Sequence, residues 1–485
     1  MVNATAVAAH LIGGDWQVGT DHEASRNPAH PNRSTIRYPI AGKSDVDAAV
    51  SAARQAFGSW AQMAAPIRGQ VVMRAATLLA ERMNSVAEGL TQDEGKPLAD
   101  ARGEVMRGVD TLRFHAAQAW AATGERFASD VPSERVWTES YPVGVVGVIT
   151  PFNFPIVISA YKLAPALVHG NTVVWKPSEL DPQPALLLAQ ILQEAGLPPG
   201  VLNVVFGDAA TGVAITANPE VDAITFTGSV QVGLEIVRKT VDRGARVQVE
   251  MGGHNPAIVL GDADLPAAAR AIVRGAMSEA GQKCTSTRRV IARDDCHDAL
   301  QELLAAEIRS LRVGDGMDRA SDLGPLISAK ARDGAQAAVD RSLREGAQVQ
   351  VGGNALDHPD YDGGYFFEPT LISGVTERMF IAQTEVFAPM IGLLRARDDD
   401  HAVELANATD FGLTASLFTR SESAKRRFIR DLQVGTVRLN RYTTGSVVNA
   451  PFHGVRKSGA PYAPAEQGFE ARRFYTTTKT IYAEP

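Results

Sequence analysis

The chain has 485 residues, 45% of them hydrophobic, which suits two or three domains with packed cores and does not suit a disordered scaffold. Its 48 basic and 55 acidic residues give a formal charge of -7, so no overall field favours nucleic acid or an anionic membrane. Two cysteines, Cys284 and Cys296, are too few for a disulfide framework, and a free functional thiol is best kept in a reducing compartment, so the cytoplasm is expected.

The N-terminal stretch through Trp16 lacks a basic leader, and its apolar run is broken by His10 and Asp15, so no signal peptide is expected. No apolar run reaches the length of a bilayer span; the run Pro155 to Val168 even carries Lys162. From Ser44 to Leu90 the spacing of Val46, Val50, Ala53 and Phe57, then Val72, Leu78, Leu79, Met83 and Val86, is helical, with Ser44 or Asp45 as the expected cap. A further helix is predicted over Ala99 to Ala122. Arg126 to Asp130 and Arg135 to Tyr141 then alternate like two strands about a Pro-Ser turn.

Strands and helices alternate next. The strands are Val143 to Ile149, Thr172 to Trp175, Leu202 to Val205 and Ala223 to Phe226, with helices near Ala160 to Val168, Ala185 to Ala195 and Gly212 to Ala217 between them. Such an order calls for a parallel sheet covered on both faces, with ligands beyond the C-terminal ends of its strands. The distinctive segments sit at those ends. Thr150-Pro151-Phe152-Asn153-Phe154-Pro155 forms a rigid turn presenting one amide. Lys176-Pro177-Ser178-Glu179 places an ammonium and a carboxylate within reach of a ribose, or forms a solvated pair on a turn. Phe226-Thr227-Gly228-Ser229-Val230-Gln231-Val232-Gly233 opens a helix whose backbone N–H groups and dipole favour a phosphate, although it lacks the three-glycine spacing of the usual dinucleotide loop.

Further on, the alternating run Val247 to Glu250 delivers a carboxylate to the edge of a glycine turn, and Pro256 keeps a helix from starting there. Glu279 to Arg289 then holds Cys284 among small and basic residues. A thiol attacks only as thiolate, a form that neighbouring cations favour, and Lys283 offers one such charge. By itself this stretch fits a reactive thiol and a packed cysteine equally well. With Glu250 and Asn153 added, a nucleophile, a general base and an oxyanion donor become available. The second half alternates again, with helices His297 to Arg312, Ala329 to Glu345 and Asp400 to Ala408 and a strand Ala347 to Val351. No Cys/His cluster has zinc-site spacing, so no metal is expected.

The segments TPFNFP (150–155), KPSE (176–179), FTGSVQVG (226–233), VEMGGHNP (249–256), GQKCTSTRR (281–289), EVFAPM (385–390) and APFHGVRKSG (450–459) follow the order found in one family. From near residue 10 to its end the chain resembles an NAD(P)-dependent aldehyde dehydrogenase. The resemblance implies an α/β fold with a Rossmann-type cofactor domain (1–123 and 142–251), an α/β catalytic domain (252–445), and a small β oligomerisation element formed by a hairpin (124–141) and the C-terminal segment (446–485). It implies a catalytic set of Cys284, Glu250 and Asn153, with Lys176 beside it, and NAD or NADP held by Thr150, Pro151, Phe152, Lys176, Ser178, Glu179, Phe226, Thr227, Gly228, Ser229, Gly233, Glu385 and Phe387. The expected partner is a small-molecule aldehyde, with neither nucleic acid nor membrane involved, in a homodimer or homotetramer.

The tail Ala463 to Gly468 and Phe474 to Tyr482, with GKPLADARGEV (95–105), is similar to the branch that oxidises 2-oxoglutarate semialdehyde and related short semialdehydes. Lys283 and Arg288 then either meet a distal substrate carboxylate or point to solvent or backbone carbonyls. The chain departs from the family pattern at Phe152 (usually Trp), His254 (commonly Lys) and His453 (usually Gly), and the two histidines are expected to be structural. An uncharged aldehyde as substrate, an esterase using the same thiol, an acyl transfer to coenzyme A and a non-catalytic protein remain alternatives. Retention of Glu250 favours hydrolysis.

Overall fold

Two seven-stranded sheets divide the chain, in a computed structural model that describes residues 7–121, 123–460 and 462–484. The first sheet runs, from one edge, Arg246–Glu250, Ala223–Thr227, Val145–Ile149, Thr172–Lys176, Leu202–Val204, His10–Ile12 and Asp15–Gln17. Its first five strands are parallel, and the two N-terminal strands close the far edge antiparallel. Thr172–Lys176 and Ala223–Thr227 are buried at every position, as strands covered on both faces must be, and their β-branched side chains fill that double-sided core. Register matters for function: Ile149 pairs with Lys176 and Thr227 with Glu250, so the loops that follow these strands emerge along one edge.

The second sheet orders Gln348–Val351, Thr370–Val375, Met390–Ala396, Thr287–Arg293, Asn255–Val259, Thr414–Phe418 and Thr436–Leu439, all parallel except the first pair. A third sheet joins Arg126–Phe127, Arg135–Pro142 and Thr476–Ala483 antiparallel. The predicted hairpin is thus mostly one long strand, and its main partner is the C-terminal strand, paired from Thr476 with Pro142 to Ala483 with Arg135. Its Phe127 is 46% exposed.

Several predicted boundaries shift. The helix expected to start at Ser44 or Asp45 spans Lys43–Gln62 and is capped by Gly42, whose N–H donates to the Asp45 carboxylate at 2.8 Å. The helix expected over Ala99 to Ala122 is Leu98–Ala117 with a 3-10 turn Gln118–Trp120, and residue 122 lies outside the described residues. Residues 1–6 of the stretch read for a leader also lie outside them. Cys296 lies in the polar stretch Arg293 to Asp298, yet it is 3% exposed and its thiol lies against the carbonyls of Val259 and Arg293. Among the described residues no helix is long and apolar enough to cross a membrane, and no cluster of three or more His, Cys, Asp or Glu could hold a metal ion.

Candidate active site

The first sheet presents the C-terminal ends of its strands, the second the N-terminal ends of its own. From the first come the turn after Ile149, the turn after Lys176, the helix entry after Thr227 and Glu250 itself. From the second come Cys284, just ahead of strand Thr287–Arg293, and Glu385 and Phe387, just ahead of Met390–Ala396. A cavity of about 420 Å³ lies where they meet, and its wall includes Cys284, Glu250, Thr227 and Phe154. That volume suits a small ligand. Asn153 is buried in the turn next to Phe154 and is not part of the cavity wall.

The nucleophile loop is held by backbone-directed hydrogen bonds. Asn255 Nδ2 donates to the Cys284 carbonyl at 2.7 Å and to the Ser286 carbonyl at 2.8 Å, and Thr443 Oγ1 donates to the Thr285 carbonyl. Arg288 donates to the carbonyls of Gly281, Lys283 and Ala388, and its guanidinium lies 5.5 Å from the Phe387 ring. Of the two roles open to Arg288, scaffold and substrate contact, its buried donors fill the first. Just upstream, Glu279 and Ala280 adopt left-handed φ of 56° and 51°, a conformation costly for residues with a Cβ and sustained here by the surrounding contacts.

Lys96 pins the turn that carries Asn153. Its ammonium, inaccessible to solvent, donates to the Asn153 carbonyl and to Glu104, each at 2.7 Å, lies 3.5 Å from Glu279 and sits 4.4 Å from the Phe154 ring. Trp175 Nε1 fixes the same turn from below through Thr150 Oγ1 at 2.9 Å.

Electrostatically the site disfavours the charged forms of its thiol and its carboxyl. Burial, and then the carboxylates of Glu385, Glu250 and Glu466, push the Cys284 thiol well above its usual range, which reverses the expectation that Lys283 lowers it. Lys283 is turned away to Ser278 Oγ. Burial, and then Glu466, likewise push the Glu250 carboxyl well up, partly offset by Lys162 and the Gly454 N–H. Glu250 is 4% exposed and its Oε2 has no hydrogen-bond partner among the described residues, so it is free to receive a water. Lys162, fully buried, bonds Glu466 and donates to Thr225 Oγ1 at 2.9 Å. Neither Lys162 nor Glu466 was singled out from sequence as a functional residue. Glu466→Gln removes the negative charge that most opposes ionisation of Glu250, so the acidic limb of the kcat profile is expected to move to lower pH. A limb that stays in place or moves up would refute this coupling.

The cofactor candidates fall on the same edge. Ser229 caps helix Val230–Val241 by accepting from the Val232 N–H, so the first-turn N–H groups face outward where a phosphate would sit. Gly228 keeps that entry flat, because a Cβ there would meet the Phe226 ring at 2.4 Å. Gly252 lets Glu385 approach, since a Cβ would stand 1.8 Å from its carboxylate, and the Gly253 N–H donates to Glu385 at 3.1 Å. Burial raises the Glu385 carboxyl to about 7, against the pull of Arg288. Phe152 and Phe387 meet edge to face at 6.0 Å. Lys176 Nζ bonds the Glu179 carboxylate at 3.0 Å and the Pro177 carbonyl at 2.9 Å, outside the cavity wall, while Glu179 is 41% exposed. The helix-entry donors, the close approaches allowed by Gly228 and Gly252, and the half-exposed Glu179 carboxylate on the same edge fit a dinucleotide. His254 is buried and held neutral, first by burial and then by Arg289, with its ring 6.1 Å from Phe411; His453 bonds the Gly454 carbonyl at 2.9 Å.

The family model described as "Aldehyde dehydrogenase family" matches residues 16–481. An alpha-ketoglutaric semialdehyde dehydrogenase of Bacillus subtilis is 37% identical over 480 residues, 98% of each chain. A betaine aldehyde dehydrogenase from Staphylococcus aureus in complex with NAD+ superposes with a TM-score of 0.95 at 30% identity, over 98% of this chain and 95% of that one. An NADP-dependent enzyme of E. coli gives 0.95 at 31%, over 100% and 99%. The chain belongs to the aldehyde dehydrogenase family and is an NAD(P)-dependent oxidoreductase that acts on aldehydes.

Proposed function

We propose that the protein oxidises a short semialdehyde, of the 2-oxoglutarate semialdehyde kind, to its acid by covalent catalysis on Cys284. The observation that carries the reading is a single cavity wall shared by one thiol and one carboxylate with a free oxygen, Cys284 and Glu250. Substrate choice is supported by the resemblance to the B. subtilis semialdehyde enzyme.

The thiol rests protonated, so it must first give up its proton, and Glu250 takes it through a water in the cavity. The Cys284 sulfur then bonds the aldehyde carbon, and the Asn153 amide and the Cys284 backbone N–H hold the oxygen as its charge develops. Lys96 serves that step by fixing the turn from which Asn153 acts. NAD(P)+, when bound, accepts the hydride that leaves a thioester on Cys284. Ser229 and Gly228 would hold its phosphates, Lys176 and Glu179 its adenosine ribose, and Glu385 and Phe387 its nicotinamide end. Glu250, once it has passed the thiol proton on to solvent, is ionised again and draws a proton from water as that water attacks the thioester; the thiolate leaves as the acid forms and takes that proton back, which restores Cys284. Lys162 and Glu466 set how readily Glu250 ionises.

A panel of semialdehydes assayed with NAD+ and NADP+ tests the reading. Rapid NAD(P)H formation with five-carbon semialdehydes is expected, and oxidation of none of them would remove it. Both coenzymes should work. In Glu179→Gln the carboxylate that repels a 2′-phosphate is gone and Lys176 is released to meet it. A charge at a half-exposed site is worth on the order of 1 to 2 kcal/mol, so preference should move toward NADP+ by on the order of tenfold. An unchanged kcat/KM ratio of the two coenzymes would contradict the assignment of Glu179.

The three-stranded sheet with half-exposed Phe127 and Tyr482 at 66% exposure is proposed as the surface where copies assemble.

A further inference from the structure

Part of the wall of the cavity that holds Cys284 comes from helix Leu98–Ala117, which presents Ala99, Asp100, Gly103, Glu104 and Arg107 along one face at three- and four-residue spacing. Gly103 leaves that face open, since a Cβ on it would meet nothing within 4 Å. One turn further lies Arg107, half-buried, with no hydrogen bond or ion pair to its guanidinium among the described residues.

Its isolation has a cause. Glu104, three residues back on the same helix, is the acid Arg107 would ordinarily take, but both its oxygens are occupied. Oε2 accepts from Lys96 at 2.7 Å, and Oε1 accepts from the N–H groups of Ile156 and Val157 at 2.8 and 3.2 Å. The other charges on the wall compensate one another. Asp100 and Glu279 stand among Lys283, Lys96 and Arg274, and Arg274 also lies 5.5 Å from the Tyr442 ring. Arg107 shares the cavity wall with Tyr161, whose hydroxyl lies 3.4 Å from Ser446 Oγ. Tyr161 and Ser446 line the same cavity. A guanidinium without an ion-pair partner, on one cavity wall with two hydroxyls, is a receptor for a carboxylate, with a hydroxyl left over for a neighbouring carbonyl oxygen.

We propose that Arg107, with Tyr161 and Ser446, is the subsite that takes the distal carboxylate of the substrate, so that the enzyme selects ω-oxo acids over neutral aldehydes through this helix and not through Lys283 or Arg288. The assignment rests on the aldehyde-oxidising reading of Cys284 and adds the identity of the substrate's far end. The two basic residues nearest the thiol in sequence are engaged by Ser278 and by backbone carbonyls; of the two arginines on the wall, Arg274 acts on Asp100 and stands by the Tyr442 ring, whereas Arg107 has no ion-pair partner among the described residues.

The test compares 5-oxopentanoate with pentanal, aldehydes of equal length that differ in one charge. Wild type should favour 5-oxopentanoate in kcat/KM, and Arg107→Met should lower that preference by about 10- to 100-fold, the value of a hydrogen bond to a charged group. Arg107→Lys should restore part of it. The loss should fall on KM. In a coenzyme-free assay, glutarate should slow alkylation of Cys284 by iodoacetamide in wild type and less so in Arg107→Met. The proposal is overturned if wild type shows no preference, if Arg107→Met lowers both substrates equally, or if Arg274→Gln abolishes the preference while Arg107→Met keeps it. Failure of wild type to oxidise either aldehyde would overturn the aldehyde reading itself, a different result from oxidation of both at equal efficiency.

Discussion

Cys284→Ala is expected to abolish NAD(P)H formation, a loss of more than about 10⁴-fold in kcat, because removal of the attacking atom leaves only binding and oxyanion contacts. Cys296→Ala serves as the control. The two thiols differ in what surrounds them: Cys284 reaches the cavity, whereas Cys296 is packed at the start of helix His297–Arg309 against two backbone carbonyls. The Cys296 variant should keep its turnover. Steady-state assay of both proteins, with circular dichroism to confirm folding, decides the matter, and turnover surviving in Cys284→Ala would end the covalent mechanism.

Glu250→Gln separates the two halves of the reaction. If Glu250 activates the hydrolytic water, steady-state turnover should fall by about 10²- to 10⁴-fold, the usual worth of a general base. A first burst of NAD(P)H should survive to the extent that the thiol finds another route for its proton. The high resting position of the thiol makes that burst informative. A burst that disappears together with turnover shows that Glu250 also deprotonates Cys284, while an unchanged steady-state rate would remove Glu250 from the mechanism. The pH dependence follows from the same carboxyl. Glu250 sits above the ordinary carboxylate range and acts only when ionised, so kcat should rise with pH through the ionisation of Glu250 and not fall.

The parts of the site that sequence made legible are those where function depends on local order. A strand that ends in a glycine turn must place Glu250 at an edge, and a strand followed by Gly228 and Ser229 must open a helix with free N–H groups. Such features span a few residues and survive any error in the boundaries around them. Long-range contacts leave no such trace. Lys162 registered only as an interruption in an apolar run, yet it bonds Glu466 across 304 positions. Lys96 holds the Asn153 carbonyl across 57 positions and nothing near either residue announces the pairing. For Arg288 the sequence left two roles open, a substrate carboxylate or backbone carbonyls, and strand Thr287–Arg293 turns its side chain toward the carbonyls. The shifted helix cap has a local cause that composition obscures: Asp45 does help to cap the helix, but from the third helical position, with Gly42 as the cap residue.

The way the tail is sewn into the first sheet has a consequence for biosynthesis. Phe474 and Tyr475 belong to the core of that sheet, Asn171 Nδ2 donates to the Tyr475 carbonyl at 3.0 Å, and Arg246 donates to the Thr476 carbonyl from 230 positions away. Domains otherwise tend to fold in the order in which they leave the ribosome. Here the nascent cofactor half emerges with an open flank, and its closure waits until synthesis has passed the whole second sheet. The same late-arriving segment brings Glu466 beside Glu250, so that carboxyl reaches its native electrostatic setting only after the second sheet has been made.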